Sequence, residues 1–325
     1  MSAQMHDLRA QRLAAAVPEL ERLDAQELLD EIAVLKRARH AVVLAHNYQA
    51  PLIYHGVADF TGDSLALAQQ AARSDAEVIV LAGVAFMAET AKLLNPARTV
   101  LLPASEAGCS LAESITAEDV RALRRRHPGA PVVSYVNTSA AVKAESDVCC
   151  TSANALRIVE SLGAPKVIFL PDRYLGHHVQ QHTGVELVLW DGACEVHQRF
   201  SAAELRDLRA RQAGLHILAH PECPPDVLQE ADFVGSTQGM VDHLTATQPA
   251  HVALITECSM SDNVAVEFPQ LHFLRPCNLC PHMRRITLTG IRDALLQMQH
   301  VIELDAAIAA PARRALERML AVGRG

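Results

Sequence analysis

Three cysteines, Cys109, Cys194 and Cys280, stand at intervals of 85 (194 − 109) and 86 (280 − 194) residues, and a similar succession of apolar runs and polar loops leads up to each. Self-similarity at a fixed period constrains a fold more than local propensity does, because every copy must take the same shape and pack beside its neighbours. A period of this size accommodates one small α/β unit. The spacing therefore predicts three such units about a pseudo-threefold axis, each bringing one soft thiolate to a shared centre.

The local pattern agrees. Ala41-Val-Val-Leu-Ala45 is the unbroken apolar run of a buried parallel strand, and it stops at His46-Asn-Tyr-Gln49. The counterparts are Pro131-Val-Val-Ser-Tyr135-Val-Asn137 and Leu215-His-Ile-Leu-Ala219, the latter ending in His220-Pro-Glu222. Further short apolar runs alternate with helical stretches, the signature of βαβ units and parallel sheets. The expected fold class is α/β, with three homologous parallel-sheet domains around a central site. The expected divisions are a helical extension over 1–40, repeats over 41–127, 128–212 and 213–292, and C-terminal helices over 293–325. In the extension, Asp24 and Glu27 have capping-box spacing ahead of a Leu28, Leu29, Ile32 and Leu35 stripe.

Composition narrows the function. The net charge of −8, without a long basic run, leaves no electrostatic footprint for nucleic acid. The longest apolar run, Val78 to Ala88, is too short to span a bilayer, so a soluble cytoplasmic protein with small-molecule ligands is expected. Eight cysteines without secretory features point to metal binding or catalysis in a reducing compartment rather than to a disulfide framework.

In open parallel sheets, ligands bind beyond the carboxyl ends of the strands. That rule places His46, Tyr48, Tyr135, Asn137, His220, Glu222 and the three cysteine loops in one cavity. Gly235-Ser236-Thr237 follows a strand and opens a helix, so its amides and hydroxyls suit a phosphate, although serine and threonine are also ordinary helix caps. Asp63-Ser64 and Thr151-Ser152 repeat the arrangement. Three distant single cysteines leave one position of a metal centre open, and an open iron can act as a Lewis acid. Any one cysteine alone is more often a core residue than a ligand. Cys149-Cys150 reads as core, Cys223 and Cys258 as lining of the cavity, and Cys277-x-x-Cys280 also fits a zinc half-site or redox pair. His197, close behind Cys194, reads as a support for that ligand.

From about Val42 to Arg292 the sequence resembles the quinolinate synthase family, the A protein of NAD biosynthesis. The resemblance rests on His46-Asn-Tyr-Gln49, Gly62-Asp-Ser64, Met87-Ala-Glu-Thr-Ala91, Ala107-Gly-Cys109, Tyr135-Val-Asn-Thr138 with Lys143-Ala-Glu145, and Thr151-Ser-Ala-Asn154. It continues through Trp190-x-Gly-x-Cys194-x-x-His197, His220-Pro-Glu222, Gly235-Ser-Thr237, Thr256-Glu257 and Cys280-Pro-x-Met283. It implies one 4Fe-4S cluster held by Cys109, Cys194 and Cys280, and a transferase-type condensation of iminoaspartate with dihydroxyacetone phosphate to quinolinate. It also implies L-aspartate oxidase as the functional supplier of the imine.

Carried onto these positions, Ser236 and Thr237 would hold phosphate, Asn137 and Ser152 carboxylate, and His46 and Ser64 the rest of the substrate. Glu222 would move protons with His220, Tyr48 and Tyr135. Some relatives have a longer cysteine cluster with an extra pair able to form a disulfide. Here a Cys277–Cys280 bond would consume the implied ligand, so no redox switch of that design is expected. An iron-sulfur hydro-lyase acting on another carboxylate, or a zinc protein built on Cys277 and Cys280, are the alternatives.

Overall fold

The computed structural model describes residues 3–323, with side chains from Leu8 onward; the outermost residues of the first and last expected divisions lie outside the described residues. Twelve strands form three sheets. The first holds β1 (Ala41–His46), β2 (Phe60–Gly62), β3 (Val78–Ala82) and β4 (Thr99–Leu101). The second holds β5 (Val132–Tyr135), β6 (Val148–Cys150), β7 (Lys166–Leu170) and β8 (Glu186–Leu189); the third holds β9 (Leu215–Ala219), β10 (Phe233–Val234), β11 (His251–Ile255) and β12 (His272–Leu274). Their orders are β2-β1-β3-β4, β6-β5-β7-β8 and β10-β9-β11-β12, and all pairings among these strands are parallel. The fold is α/β with one topology used three times.

Each copy is locked by the same ionic device. Asp59, Asp147 and Asp232 precede the edge strands β2, β6 and β10, and each carboxylate accepts a hydrogen bond from an amide of the neighbouring first strand. The donors are Val43 at 2.8 Å, Val132 at 2.7 Å and Ile217 at 2.7 Å. Each also pairs with a cation from the helix before that strand: Lys36 at 2.7 Å, Arg124 at 2.8 Å and Arg209 at 2.8 Å. By this criterion Glu19–Ala38 stands in the first unit where Ala117–Arg126 and Ala202–Arg211 stand in the others. In each unit a helix thus stands before the first strand.

Two details differ from expectation. Behind a first helix, Ala3–Ala16, the helix that carries Asp24 starts at Glu19 after Pro18 and runs straight through Asp24, so Asp24 caps nothing; Pro18 sets the start, and Glu19 and Glu21 place negative charge on the first turn. The first of the expected C-terminal helices is Leu288–Gln297, which ends well before the last one begins at Ala306. Beyond it the chain turns to pair antiparallel with β4, through bonds from Leu102 N to His300 O at 3.1 Å and from Ile302 N to Val100 O at 2.8 Å.

The last two helices seal joints. Leu288–Gln297 packs on Glu19–Ala38 and β3, bringing the end of the chain back to the first unit. Ala306–Val322 lies across Ala140–Ala144, β6 and Ala85–Leu94, burying Ala312, Ala315, Leu316 and Met319 between units one and two. Among the described residues, no helix is long and apolar enough to cross a membrane.

Candidate functional site

In parallel sheets the strand ends and the following helix N-termini gather on one side. Here they surround a cleft lined by residues of all three units. Cys109, Cys194 and Cys280 all line it as free thiols. The loop of each is fixed by the helix that follows, whose capping residue, Thr116, Ser201 or Thr287, comes seven positions later (109 + 7, 194 + 7, 280 + 7).

The loops also interlock across units. Trp190 Nε1 donates to Ser114 O at 3.1 Å, and His282 Nε2 meets Glu195 Oε1 at 3.1 Å. Gly192 passes so close to its neighbours that a Cβ there would lie 2.5 Å from Pro171 O and 2.6 Å from Ser114 Oγ, which only glycine permits. Burial pushes the Cys109 thiol up to about 12 and raises Cys194 and Cys280 as well, so taking up a metal must displace protons.

Glu222, buried beside these thiols, is the hub of the polar side. The Tyr135 hydroxyl donates to Oε1 at 2.5 Å, and His197 Nδ1 lies 2.9 Å from Oε2. Burial would raise this carboxyl, but His197, His220 and Tyr135 outweigh it and hold Glu222 below the ordinary carboxylate range. Beyond His197 the network continues to Thr256 Oγ1 at 2.9 Å, which is 2.5 Å from the Tyr48 hydroxyl. The Cys194 sulfur, a ring nitrogen of His197 and a carboxylate oxygen of Glu222 lie within 4.8 Å of one another, so the Glu222 network adjoins the Cys194 thiol.

His46 and His220 occupy matching turns. Each Nδ1 accepts from the amide two residues on, Tyr48 N at 3.2 Å and Glu222 N at 3.4 Å. That leaves Nε2–H as the outward donor, and His220 Nε2 reaches Ser152 Oγ at 3.2 Å. Burial lowers His46 to about 4 and His220 to about 3, so both are neutral imidazoles at neutral pH.

Ser64, Asn137, Ser152 and Thr237 line the same cleft. Ser236 lies just behind it, with its hydroxyl capping the helix Thr237–Thr247 by accepting from Gly239 N at 3.1 Å. Thr237 Oγ1 accepts from Asn47 Nδ2 at 2.9 Å, and Asn47 O in turn accepts from Asn263 Nδ2 at 3.1 Å, so units one and three meet at this helix end.

The sequence reading under-weighted His197, whose only signal was its place three residues after Cys194, and did not single out Asn47 or Asn263. It also placed Cys223 and Cys258 on the cavity wall. Cys223 is instead buried under its sheet with Sγ 3.6 Å from Ile255 O, and Cys258 forms a disulfide with Cys277, their Cα atoms 4.9 Å apart. The partners follow the adjacent strands β11 and β12, a juxtaposition that cysteine spacing alone does not disclose. Cys280 stays free.

Three parallel α/β units that pool one thiol each beside a hydrogen-bonded carboxylate define a class: triplicated α/β proteins with a single site at their common centre. Residues 30–321 match the family model described as quinolinate synthetase A protein. The chain is 61% identical over 321 residues to quinolinate synthase 1 of Mesorhizobium japonicum, covering 99% of this chain and 98% of that protein. It is 60% identical to the quinolinate synthases of Xylella fastidiosa (strain Temecula1), over 94% of this chain and 90% of that protein, and of Agrobacterium fabrum, over 96% and 90%. The chain belongs to the quinolinate synthase A family.

Proposed function

We propose that this chain is a quinolinate synthase of NAD biosynthesis, condensing iminoaspartate with dihydroxyacetone phosphate and releasing phosphate and water. The observation that carries this reading is the convergence, in one cleft, of a free thiol from each unit with the Glu222 hub. The donor set suits a 4Fe-4S cluster: three thiols face the cleft, while the free cysteines Cys149, Cys150 and Cys223 are buried elsewhere in the core. Held by Cys109, Cys194 and Cys280, such a cluster would keep one iron without a protein ligand and supply Lewis acidity toward substrate oxygen.

The remaining roles belong to side chains. Thr237, steadied by Asn47, and the helix end capped by Ser236 offer hydroxyls and amides to phosphate. Asn137 and Ser152 would take carboxylate oxygens, and His46 and Ser64 would orient the rest. Enolisation, isomerisation and water loss all require proton movement. Glu222 is the base, with Tyr135 on one oxygen and His197 beside the other. The chain Tyr48, Thr256, His197 leads protons away, and the neutral His220 donates through Nε2.

The test is iron and acid-labile sulfide per chain in protein purified without oxygen, with an assay of quinolinate from the two substrates. Equal iron and sulfide at one cluster per chain, with quinolinate formed only when dihydroxyacetone phosphate is present, is the expected result. Cys194→Ser is expected to lose both iron and sulfide; normal content in that variant would overturn its assignment as a ligand.

A further inference from the structure

Lys143 is fully buried, at 0% exposure. It lies on the helix Ala140–Ala144 and turns back toward the end of β5. Its Nζ donates to Val136 O at 2.8 Å and, at short range, to Thr138 O, the carbonyls on either side of Asn137. Its outer face meets the Phe86 ring, with Nζ 5.6 Å from the centroid.

The same turn is held from its far end by the first unit, where Glu89 Oε2 accepts from Ala140 N at 2.7 Å. Within it, Thr138 Oγ1 donates to Tyr135 O at 3.0 Å and Thr138 N to Val136 O at 2.8 Å. With its flanking carbonyls drawn inward to Lys143, Asn137 lines the cleft, and its side-chain NH2 is the group that can donate to a carboxylate there. Burying an amine is costly, and two neutral carbonyls return only part of that cost. Closing a short turn is a weak reason to keep a lysine there; fixing a ligand-binding amide is a stronger one. Among the described residues lining the cleft there is no lysine or arginine, so an anion must be met by oriented neutral dipoles, whose value depends on exact placement.

We infer that Lys143 is a positioning residue of the site: by gripping the carbonyls of Val136 and Thr138 it sets the Asn137 carboxamide to receive a substrate carboxylate. This rests on the dicarboxylate reading given above. The test compares cluster-loaded wild-type protein and Lys143→Met by calorimetric titration with quinolinate and, separately, with inorganic phosphate, and by hydrogen exchange. The expected result is quinolinate binding weakened at least about tenfold, the equivalent of roughly 1.4 kcal/mol. Phosphate binding should stay within about twofold of wild type, and faster exchange should be confined to residues 136–140.

Unchanged quinolinate affinity overturns the inference, whatever the exchange shows, and so does equal loss of both ligands, which marks general damage. Should Lys143→Met not fold, Glu89→Gln loosens the same turn from its other end; a smaller weakening in the same direction is expected, and no weakening overturns the inference. If wild-type protein itself does not bind quinolinate, the proposed reaction fails. In that case the exchange data alone decide whether Lys143 fixes the turn, and unchanged exchange at 136–140 overturns it.

Discussion

Glu222 illustrates how one residue gathers its partners from three units. Its own strand end supplies the position, Tyr135 and His197 come from the second unit, and Tyr48 of the first is linked through Thr256. Glu222→Gln keeps the size but removes the basic oxygen, so iron content should be retained while quinolinate formation falls at least ~100-fold. Full activity in that variant would remove Glu222 as the base. His55 makes a different statement about the fold. It is buried with Nε2 unpartnered, and burial, aided by Arg12, lowers it to about 4 from 6.5. A depressed folded-state value means that the unfolded chain binds the proton first, so stability is full above about pH 6.5 and is lost as pH falls toward 4. Denaturant unfolding at pH 7 and pH 5 should show His55→Phe losing about 2 kcal/mol less than wild type over that interval. The strand-end residues were legible in the sequence because apolar runs stop abruptly at them. Lys143 was not, since a lysine on a short helix reads as solvated until the fold shows its carbonyl partners.

At the scale of elements, the strands were legible because both faces of a parallel sheet are buried and their sequences are continuously apolar. The devices that lock them were not. Asp59, Asp147 and Asp232 sit before short strands, where aspartate ordinarily signals a turn, and their cationic partners Lys36, Arg124 and Arg209 each lie 23 residues earlier in sequence, on the preceding helices. Asp59 is the most buried of the three, with 14% side-chain exposure against 36% and 31%. Asp59→Ala strands the Val43 amide and the Lys36 ammonium together, and should cost about 2–4 kcal/mol in chemical denaturation. Asp147→Ala should cost less, because water can replace the lost carboxylate; equal losses would show that burial does not set the cost.

For the molecule as a whole, the threefold plan was legible from the cysteine period, but the way it closes was not. Periodicity describes the copies and says nothing of the unrepeated C-terminal segment, which returns to the first unit and bridges it to the second. Leu316 is fully buried in that bridge. Leu316→Ala should destabilise the protein by about 2–5 kcal/mol while leaving the cleft residues in place. Unfolding that remains a single transition would mean that the units stand or fall together; a separate early transition would mean that the terminal helix peels off first.

The closure has a temporal side. A chain leaves the ribosome N-terminus first. The edge of β4 and one face of Glu19–Ala38 are covered by residues 288 to 302, which are made after all three sheets. Cys280 also arrives late. The earliest unit to be synthesised is thus the last to be finished, and the three thiols can share one cleft only after all three units have been made.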